Sequence, residues 1–269
     1  MNFRALALDL DGTLTNSEKI ITPRTKEAIF AAMEIGVKIV LASGRPVLGI
    51  RRLAEELELY SRGGFILAYN GGQIIDCMTN DIIFERLLPM EYYGEVCEFG
   101  RRFGVNALTY DENGVVSEND TAVYVKKEAF NNSIPINKVD KLEDVVKQPV
   151  VKFMIVGEPE KISITCEHMR QRFDGEINVF LSEPYFIEVT AAGIEKSAAL
   201  KVLVSHLDIT REQLAACGDG LNDLSMLKYA GYSVAMENAY DEVKRIADYI
   251  TLSNDDDGVA HFIEKFILK

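Results

Sequence analysis

Short apolar runs and longer amphipathic stretches alternate in the first part of the chain. The run at 3–8 is apolar and stops at acidic residues, as a buried strand does before a site loop. Two further apolar runs, at 37–42 and 64–69, are separated by an amphipathic stretch at 47–59 with helical spacing. Strand and helix in strict succession are typical of a parallel α/β sheet. The pattern therefore predicts an α/β fold.

The boundaries of the first helix can be predicted from single residues. Thr22 is a suitable N-cap, Pro23 suits the first helical position, and Gly36 is a suitable stop. We therefore expect one helix of about four turns between the first two strands.

The rhythm changes after Asn70-Gly71-Gly72. Two hairpin strands are predicted at 73–76 and 82–87, and the stretch up to about 184 mixes strands with two clear helices, at 89–103 and 159–173. The segment 111–149 is rich in Asn, Asp, Lys and Pro and has the weakest pattern. This part of the chain is typical of an α+β unit.

The first rhythm returns from about residue 185, beginning with a strand at 185–190 and continuing through four more helices. We interpret the chain as one α/β domain, formed by 1–83 and 185–269, into which an α+β domain at 84–184 is inserted.

Charge and composition exclude several classes of protein. With 29 Lys and Arg against 42 Asp and Glu, the net charge is −13, which argues against nucleic acid or an anionic membrane surface as a partner. No apolar run reaches about 18 residues, so no membrane span is expected. The widely spaced Cys77, Cys97, Cys166 and Cys217 fit free thiols better than disulfides or a zinc site. We expect a cytoplasmic protein, either a monomer or a weak homo-oligomer.

The strongest local motif, Asp9-Leu10-Asp11-Gly12-Thr13-Leu14, follows the first strand. Strand-like spacing turns both carboxylates to one side, with Cα atoms roughly 6.6 Å apart. One carboxylate could attack a phosphorus atom while the other reaches the leaving oxygen. Taken alone, the motif also fits a polar turn or half of a calcium loop, although no Gly and Glu follow at the positions that a calcium loop requires.

Three further motifs support the chemical interpretation. Ser43 and Gly44 end the second strand and precede a helix, which suits phosphate binding. Lys196 lies in the first turn of a helix, where the helix dipole disfavours a cation unless it has an anionic partner. The motif 218–223 adds Asp219 and Asp223 at another strand end.

Converging carboxylates repel each other, and each like-charge pair at about 4 Å costs on the order of 4 kcal/mol at an effective dielectric near 20. A divalent cation removes this cost. Mg²⁺ suits a site of carboxylates, a backbone carbonyl, waters and a phosphate oxygen, so the sequence predicts Mg²⁺ as the cofactor.

The four motifs, in this order, resemble the haloacid dehalogenase superfamily, and specifically its Cof-type sugar-phosphate phosphatases with a large inserted cap. The resemblance covers essentially the whole chain and includes Asn70-Gly71-Gly72, 235–239 and 253–260. It implies a Rossmann-like parallel-sheet core with an α+β cap that determines substrate specificity.

The resemblance also implies roles for the acidic residues. Asp9 would be the nucleophile that forms an aspartyl-phosphate, and Asp11 the general acid and base. Mg²⁺ would be bound by the Asp9 carboxylate, the Asp11 backbone carbonyl and Asp219, and Asp223 would orient the water ligands of the metal.

Five other residues would hold the phosphoryl group. These are Ser43 with the amide of Gly44, Lys196, Asn222 and the backbone N–H of Leu10. Ser197 and Glu237 stand where family members usually carry Gly, but neither replaces a chemical group. Glu237 could alter cap docking or metal access.

The implied function is Mg²⁺-dependent hydrolysis of a small phosphorylated metabolite, with a sugar phosphate as the expected substrate. Two alternatives stay open: a phosphomutase, which returns the phosphoryl group to another hydroxyl, and a receiver-like signalling domain phosphorylated on Asp. A receiver-like domain, however, would need no insert of about 100 residues and would lack an acid at position 11.

Overall fold

A computed structural model describes residues 2–269 of the chain, which divide into two compact units. The first unit consists of 2–44, Ile50–Phe84 and Glu195–Lys269. The second consists of Arg45–Gly49 and Glu85–Ile194.

The strands within residues 2–269 are β1 (Ala5–Leu8), β2 (Lys38–Ala42), β3 (Phe65–Ala68), β4 (Gln73–Asp76), β5 (Ile82–Glu85), β6 (Asn106–Tyr110), β7 (Val115–Ser117), β8 (Ile136–Lys138), β9 (Lys152–Val156), β10 (Ile177–Glu183), β11 (Phe186–Ala191), β12 (Leu214–Gly218), β13 (Tyr232–Ala235) and β14 (Tyr249–Ile250).

The α-helices within the same residues are α1 (Pro23–Glu34), α2 (Val47–Glu56), α3 (Leu59–Arg62), α4 (Tyr93–Phe103), α5 (Val123–Asn132), α6 (Leu142–Val145), α7 (Pro159–Arg172), α8 (Lys196–His206), α9 (Leu224–Tyr229), α10 (Asp241–Ile246) and α11 (Gly258–Phe266). No helix of the described chain is both long and apolar enough to cross a membrane.

The first unit is built on a sheet with the strand order β14-β13-β12-β1-β2-β3-β4-β5. Strand β1 pairs in parallel with both β12 and β2, so that Ala5 lies opposite Leu214 on one side and Lys38 on the other. Only the edge beyond β3 turns antiparallel, where β4 joins. The predicted α/β class is confirmed, and the carboxyl ends of β1, β2 and β12 share one edge.

The residues that the sequence predicted to begin and end α1 are found at its two ends. The Thr22 side chain accepts a hydrogen bond from the N–H of Thr25, and Pro23 occupies the first helical turn. Gly36 follows the helix with φ +92°, a conformation that a side chain disfavours. Helix α1 packs against α11 of the same unit.

The second unit has a sheet with the order β10-β11-β9-β6-β7-β8, antiparallel except between β7 and β8. Phe153 and Ile155 of β9, and Ile187 and Val189 of β11, belong to a buried apolar cluster. Residues of α4 and α7, among them Val96 and Met169, complete this cluster on the same face.

Two elements differ from the sequence interpretation. The strand at 185–190 was assigned to the α/β rhythm, but β11 pairs antiparallel with β9 and β10 in the second sheet. All six residues of β11 are buried, and such a strand looks the same in sequence whichever sheet it joins. Helix α5 lies inside the segment with the weakest pattern; its N-cap, Ala122, forms no side-chain capping bond, and Val123 and Phe130 are exposed.

The four cysteines are free and buried, as the sequence predicted. Burial raises the pKa of the Cys77 and Cys97 thiols to about 12, so these groups stay protonated at neutral pH.

Candidate active site

Asp9 and Asp11 follow β1 at the edge where the parallel strands end. Asp9 is buried, with 6% of its surface exposed, and its N–H donates to the carbonyl of Cys217 at 3.1 Å. Gly12 has φ +86°, which lets the chain turn away directly after Asp11. The strand therefore fixes Asp9, whereas Asp11 lies where the loop begins.

Lys196 is the first residue of α8, and its ammonium lies beside Asp9 at the edge where the parallel strands end. Its Nζ donates to Asp9 Oδ1 at 2.6 Å, to Asp223 Oδ1 at 2.6 Å and to the carbonyl of Ala42 at 2.8 Å. The whole residue is 1% exposed. The sequence argument that this Lys needs a specific anionic partner is supported, because two carboxylates contact it.

Asp219 and Asp223 lie in the loop and short 3₁₀ turn after β12. Asp223 is fully buried, and its Oδ2 accepts hydrogen bonds from the N–H groups of Asp219 and Gly220 at 3.0 and 2.9 Å. Asp219 accepts a hydrogen bond from Thr13 Oγ1 at 2.7 Å. The two loops that follow β1 and β12 are thus joined by one side-chain hydrogen bond.

The carboxylates of Asp9, Asp219 and Asp223 form a candidate metal centre. One oxygen of each lies within 4.8 Å of the others. Burial, followed by the charge of Asp223, raises the pKa of Asp9 well above its ordinary value of 3.8. Burial also raises the pKa of Asp219, to about 6. Repulsion by Asp223, which the sequence analysis expected, adds to the effect of burial in both groups. An all-oxygen donor set of this kind fits a hard divalent cation.

The charge of Lys196 offsets part of this cost. Burial alone would lower the pKa of its ammonium, but Asp223 and Asp9 outweigh burial and raise it. Lys196 is therefore a fixed cation between two of the three carboxylates.

Ser43 and Gly44 follow β2, next to Asn70. Ser43 is 4% exposed, and its N–H donates to the carbonyl of Leu67 at 2.9 Å, so a phosphate contact by Ser43 would come from its hydroxyl. A Cβ on Gly44 would lie 2.9 Å from Nδ2 of Asn70, and Asn222 Nδ2 donates to Asn70 Oδ1 at 3.3 Å. Asn70 thus connects two of the predicted phosphate-binding positions.

Asp11 is not part of the three-carboxylate group. Its Oδ1 accepts a hydrogen bond from Lys19 Nζ at 2.8 Å, and both side chains are partly exposed, by 37% and 59%. Lys19 has φ +62° in a turn whose N–H groups at Glu18 and Ile20 donate to Asn16 Oδ1. The turn holds an ammonium beside the predicted acid and base.

Leu10, Ser197 and Glu237 are the remaining residues that the sequence analysis singled out. The Leu10 side chain is fully buried, and its carbonyl accepts a hydrogen bond from the N–H of Thr15 at 2.9 Å. Ser197 Oγ donates to Glu195 Oε2 at 3.2 Å, and Glu237 is exposed while its N–H donates to the carbonyl of Leu252. Neither Ser197 nor Glu237 displaces a residue of the candidate site.

Sequence reasoning assigned no role to Thr13, Lys19 or Asn70, which contact Asp219, Asp11 and Asn222 respectively. Thr13 and Asn70 lie within motifs that the sequence analysis quoted, so their position in those motifs was a usable signal. For Lys19 the sequence offers none, because its contact depends on the conformation of the turn.

Comparison with known proteins identifies the family. The sequence profile of the haloacid dehalogenase-like hydrolases matches residues 6–263. The chain is 33% identical to a 5-amino-6-(5-phospho-D-ribitylamino)uracil phosphatase of Bacillus subtilis, over 100% of this chain and 97% of that protein.

Two solved structures agree with this relationship. The crystal structure of a haloacid dehalogenase-like hydrolase from Bacteroides thetaiotaomicron is 46% identical, covers 98% of this chain and 99% of its own, and has a TM-score of 0.96. A sugar phosphatase of subclass IIB of the superfamily is 27% identical, covers 99% and 100% of the two chains, and has a TM-score of 0.79. The chain therefore belongs to the haloacid dehalogenase-like hydrolase family and is a Cof-type phosphatase within it.

Proposed function

We propose that the protein is a Mg²⁺-dependent phosphatase that hydrolyses small phosphorylated metabolites, chiefly sugar phosphates, through an aspartyl-phosphate on Asp9. One observation carries the proposal. A buried carboxylate at a strand end, Asp9, is held by a buried ammonium, and one of its oxygens lies within 4.8 Å of an oxygen of Asp219 and of Asp223.

Asp9, Asp219 and the backbone carbonyl of Asp11 would hold Mg²⁺. Asp223 would orient the water ligands of the metal, while its Oδ2 keeps the loop closed through the N–H groups of Asp219 and Gly220. When bound, the cation neutralises these carboxylates and the charge that develops on the phosphoryl oxygens.

Asp9 acts as the nucleophile. Lys196 holds its Oδ1, so Oδ2 attacks the phosphorus atom while the bond from phosphorus to the ester oxygen breaks. Asp11 gives its proton to that leaving oxygen and then takes a proton from the water that attacks the aspartyl-phosphate. Free phosphate leaves, and the carboxylate of Asp9 is regenerated.

The phosphoryl oxygens are held by the hydroxyl of Ser43, the N–H groups of Gly44 and Leu10, the ammonium of Lys196 and the amide of Asn222. Donors of this kind, fixed before the substrate arrives, stabilise the charge of the transition state without having to reorganise. The contact between Asn70 and Asn222 keeps the Asn222 amide in place.

The inserted domain at 84–184 would select the substrate through its leaving group. Two similar proteins support this substrate class. The Bacillus subtilis relative is named for a substrate with a phosphorylated ribityl chain, and the subclass IIB neighbour is named a sugar phosphatase. The negative charge of this chain fits a small-molecule substrate rather than nucleic acid, and we propose that the protein acts in the cytoplasm as a monomer or weak homo-oligomer.

Metal dependence and the identity of the nucleophile test the proposal together. Phosphate release from p-nitrophenyl phosphate should stop in excess chelator and return with Mg²⁺, and Asp9→Asn should lower turnover by several orders of magnitude while the far-ultraviolet circular dichroism stays unchanged. Undiminished activity in chelator, or in the Asp9 variant, would refute the mechanism. Transfer of phosphate to a second sugar hydroxyl, without free phosphate, would identify a phosphomutase instead.

A further inference from the structure

Two stretches quoted in the sequence analysis, 235–239 and 253–260, supply no group to the proposed chemistry. Both belong to the first unit, where the former leads into the loop after β13 and the latter joins β14 to α11. Each contains one asparagine, Asn238 and Asn254 respectively. Both side chains reach the loop at 9–17 that follows β1, which we call the β1 loop.

The two carboxamides hold two backbone carbonyls of the β1 loop. Asn238 Nδ2 donates to the carbonyl of Gly12 at 2.8 Å, and Asn254 Nδ2 donates to the carbonyl of Thr15 at 3.0 Å. The asparagines also contact each other, because the N–H of Asn254 donates to Asn238 Oδ1 at 3.0 Å. This bond directs the oxygen of the Asn238 amide to Asn254 and leaves its nitrogen to face Gly12.

Gly12 is the position at which the β1 loop has most conformational freedom. Its φ is +86°, and a residue without a Cβ can adopt many other backbone conformations. Gly12 also separates two rigid peptide groups, one carrying the Asp11 carbonyl and the other its own carbonyl. Because Asn238 holds the second peptide group, it limits the rotation that would turn the Asp11 carbonyl, a proposed ligand of Mg²⁺, to another direction.

The same peptide group leads to a second proposed ligand. It joins Gly12 to Thr13, whose Oγ1 donates to Asp219 Oδ1 at 2.7 Å. The loop that bears Asn238 is itself fixed relative to Asp219, since the N–H of Tyr240 donates to the Asp219 carbonyl at 3.1 Å. The hydrogen bond of Asn238 therefore bears on both the Asp11 carbonyl and the Asp219 carboxylate.

A purely structural role accounts poorly for Asn238. Its side chain is exposed, and an exposed hydrogen bond contributes little to the stability of a fold. The β1 loop also has other bonds that hold its course: the N–H of Thr15 donates to the Leu10 carbonyl at 2.9 Å, and the N–H and Oγ of Ser17 each donate to Asp255 at 2.7 Å. What depends on Asn238 is the orientation of one peptide group at the candidate metal centre.

We propose that Asn238, supported by Asn254, is a positioning residue of the candidate metal centre. It sets the direction of the Asp11 carbonyl and, through Thr13, the position of Asp219, and thereby the affinity for Mg²⁺. The inference rests on the Mg²⁺-dependent function proposed above. Groups that orient metal ligands in this way typically change metal affinity 10- to 100-fold.

Asn238→Asp tests the proposal directly. The variant keeps the size of the side chain and an acceptor for Asn254, but an oxygen replaces the donor to Gly12. The added negative charge by itself would attract Mg²⁺, so weaker binding would come from lost positioning. Titration calorimetry of the full-length protein with MgCl₂ should show a Kd about 10- to 100-fold higher than that of the wild type.

Asn254→Asp is the second test variant. It loses the hold on the Thr15 carbonyl but keeps its own N–H bond to Asn238. The Kd for Mg²⁺ should rise about 3- to 10-fold, the effect of one hydrogen bond. Should Asn238→Asp fail to fold, this variant carries the test with the same measurements.

Two further measurements separate positioning from a general loss of activity. In hydrolysis of p-nitrophenyl phosphate by Asn238→Asp, the Mg²⁺ concentration for half-maximal rate should rise by the same factor as the Kd, whereas kcat at saturating Mg²⁺ should fall by a smaller factor. In the metal-free protein, amide hydrogen exchange at 11–17 should be at least about threefold faster than in the wild type, because the β1 loop has lost its hold.

Asn178→Asp is the matched control. Asn178 Nδ2 donates to the carbonyl of Ala191 at 3.1 Å in the second unit, so the variant loses the same kind of bond away from the candidate metal centre. Its Kd for Mg²⁺ and its exchange at 11–17 should equal those of the wild type. Melting temperatures of all variants identify any loss that comes from unfolding.

Unchanged or tighter Mg²⁺ binding by Asn238→Asp would overturn the positioning role, and so would an equal loss in Asn178→Asp. Either result leaves the phosphatase function standing as long as the wild type hydrolyses the aryl phosphate with Mg²⁺. A wild type that neither binds Mg²⁺ nor releases phosphate would instead refute the proposed function, and the positioning role with it.

Discussion

Gly12 lies directly against the carboxylate of Asp219, so closely that a Cβ atom at position 12 would be 2.5 Å from Oδ2 of Asp219. Its φ of +86° also disfavours a side chain. Thr13, the next residue, donates a hydrogen bond to the other oxygen, Oδ1, at 2.7 Å. Residues 12 and 13 therefore set the position of Asp219, although neither bears a charge.

This contact predicts a difference between two glycine substitutions. Gly12→Ala and Gly36→Ala both place a side chain at positive φ, which costs about 1–2 kcal/mol. No atom lies within 4 Å of a Cβ on Gly36, however, so only Gly12→Ala displaces Asp219. Phosphatase assays should show a loss of about 100-fold for Gly12→Ala, as for a catalytic group moved by about 1 Å, and nearly full activity for Gly36→Ala. Equal activity of the two variants would mean that Asp219 does not act in the reaction.

Substitution of Lys196 tests the electrostatic balance of the site. Lys196→Met should lower the free energy of unfolding by about 3–5 kcal/mol in the absence of metal, because Asp9 and Asp223 would remain buried without their cation. Mg²⁺ should restore part of this loss, since it binds the folded state and neutralises the same carboxylates. Urea unfolding with and without MgCl₂ measures both effects.

Lys201→Met is the control for this experiment. Lys201 lies in the same helix, α8, but is exposed. Its substitution should change the stability by less than about 0.5 kcal/mol and should not respond to Mg²⁺. If Lys196→Met and Lys201→Met change the free energy of unfolding equally, the buried ion pairs of Lys196 do not stabilise the fold.

More of the candidate site than of the inserted unit could be predicted from the sequence, and the reason is physical. Parallel strands end at one edge, so residues that follow β1 and β12 converge whatever the details of packing, as Asp9 and Asp223 do. Lys196 reaches the same carboxylates from the first turn of α8. The contact between Thr13 and Asp219 depends on loop conformation and cannot be read from periodicity.

The inserted unit lacks such signals. Helix α5 has no capping side chain at Ala122 and exposes Phe130, so neither of its ends nor its apolar face stands out in the sequence. The buried polar residues of this unit are far apart in the chain, as Tyr110 and Glu188 are, and only the pairing of β6 and β11 with β9 brings them to one face.

A surface ion pair of the second unit predicts the pH dependence of stability. Hydrogen bonding from Arg101 lowers the pKa of the Glu143 carboxyl below its ordinary value of 4.5. The folded state therefore binds its proton less readily than the unfolded state, and the pair stabilises the fold above about pH 4.5 and loses its effect as the pH falls further.

Glu143→Gln should accordingly lower the free energy of unfolding by about 0.5–1 kcal/mol at pH 7, which is the range for exposed ion pairs. The difference in stability between the variant and the wild type should shrink below about pH 4. Chemical denaturation at a series of pH values measures it. Glu112→Gln, at an exposed position of the same unit, should cost nothing at any of these pH values. A constant difference for Glu143→Gln across the series would show that its effect is not electrostatic.

The two aspartates that follow β1, Asp9 and Asp11, have different roles in the two half-reactions, and their substitution should therefore block different steps. If Asp11 protonates the leaving oxygen and later deprotonates the water, Asp11→Asn slows both half-reactions. A good leaving group such as p-nitrophenolate needs little protonation, so the first half-reaction is partly rescued whereas hydrolysis of the aspartyl-phosphate stays slow. Phosphoenzyme should then accumulate, and intact-protein mass spectrometry after rapid acid quench should detect one added phosphoryl group. The Asp9→Asn, Asp11→Asn double variant should carry none, because the nucleophile is gone; a label that persists there would show that Asp9 is not the residue that is phosphorylated.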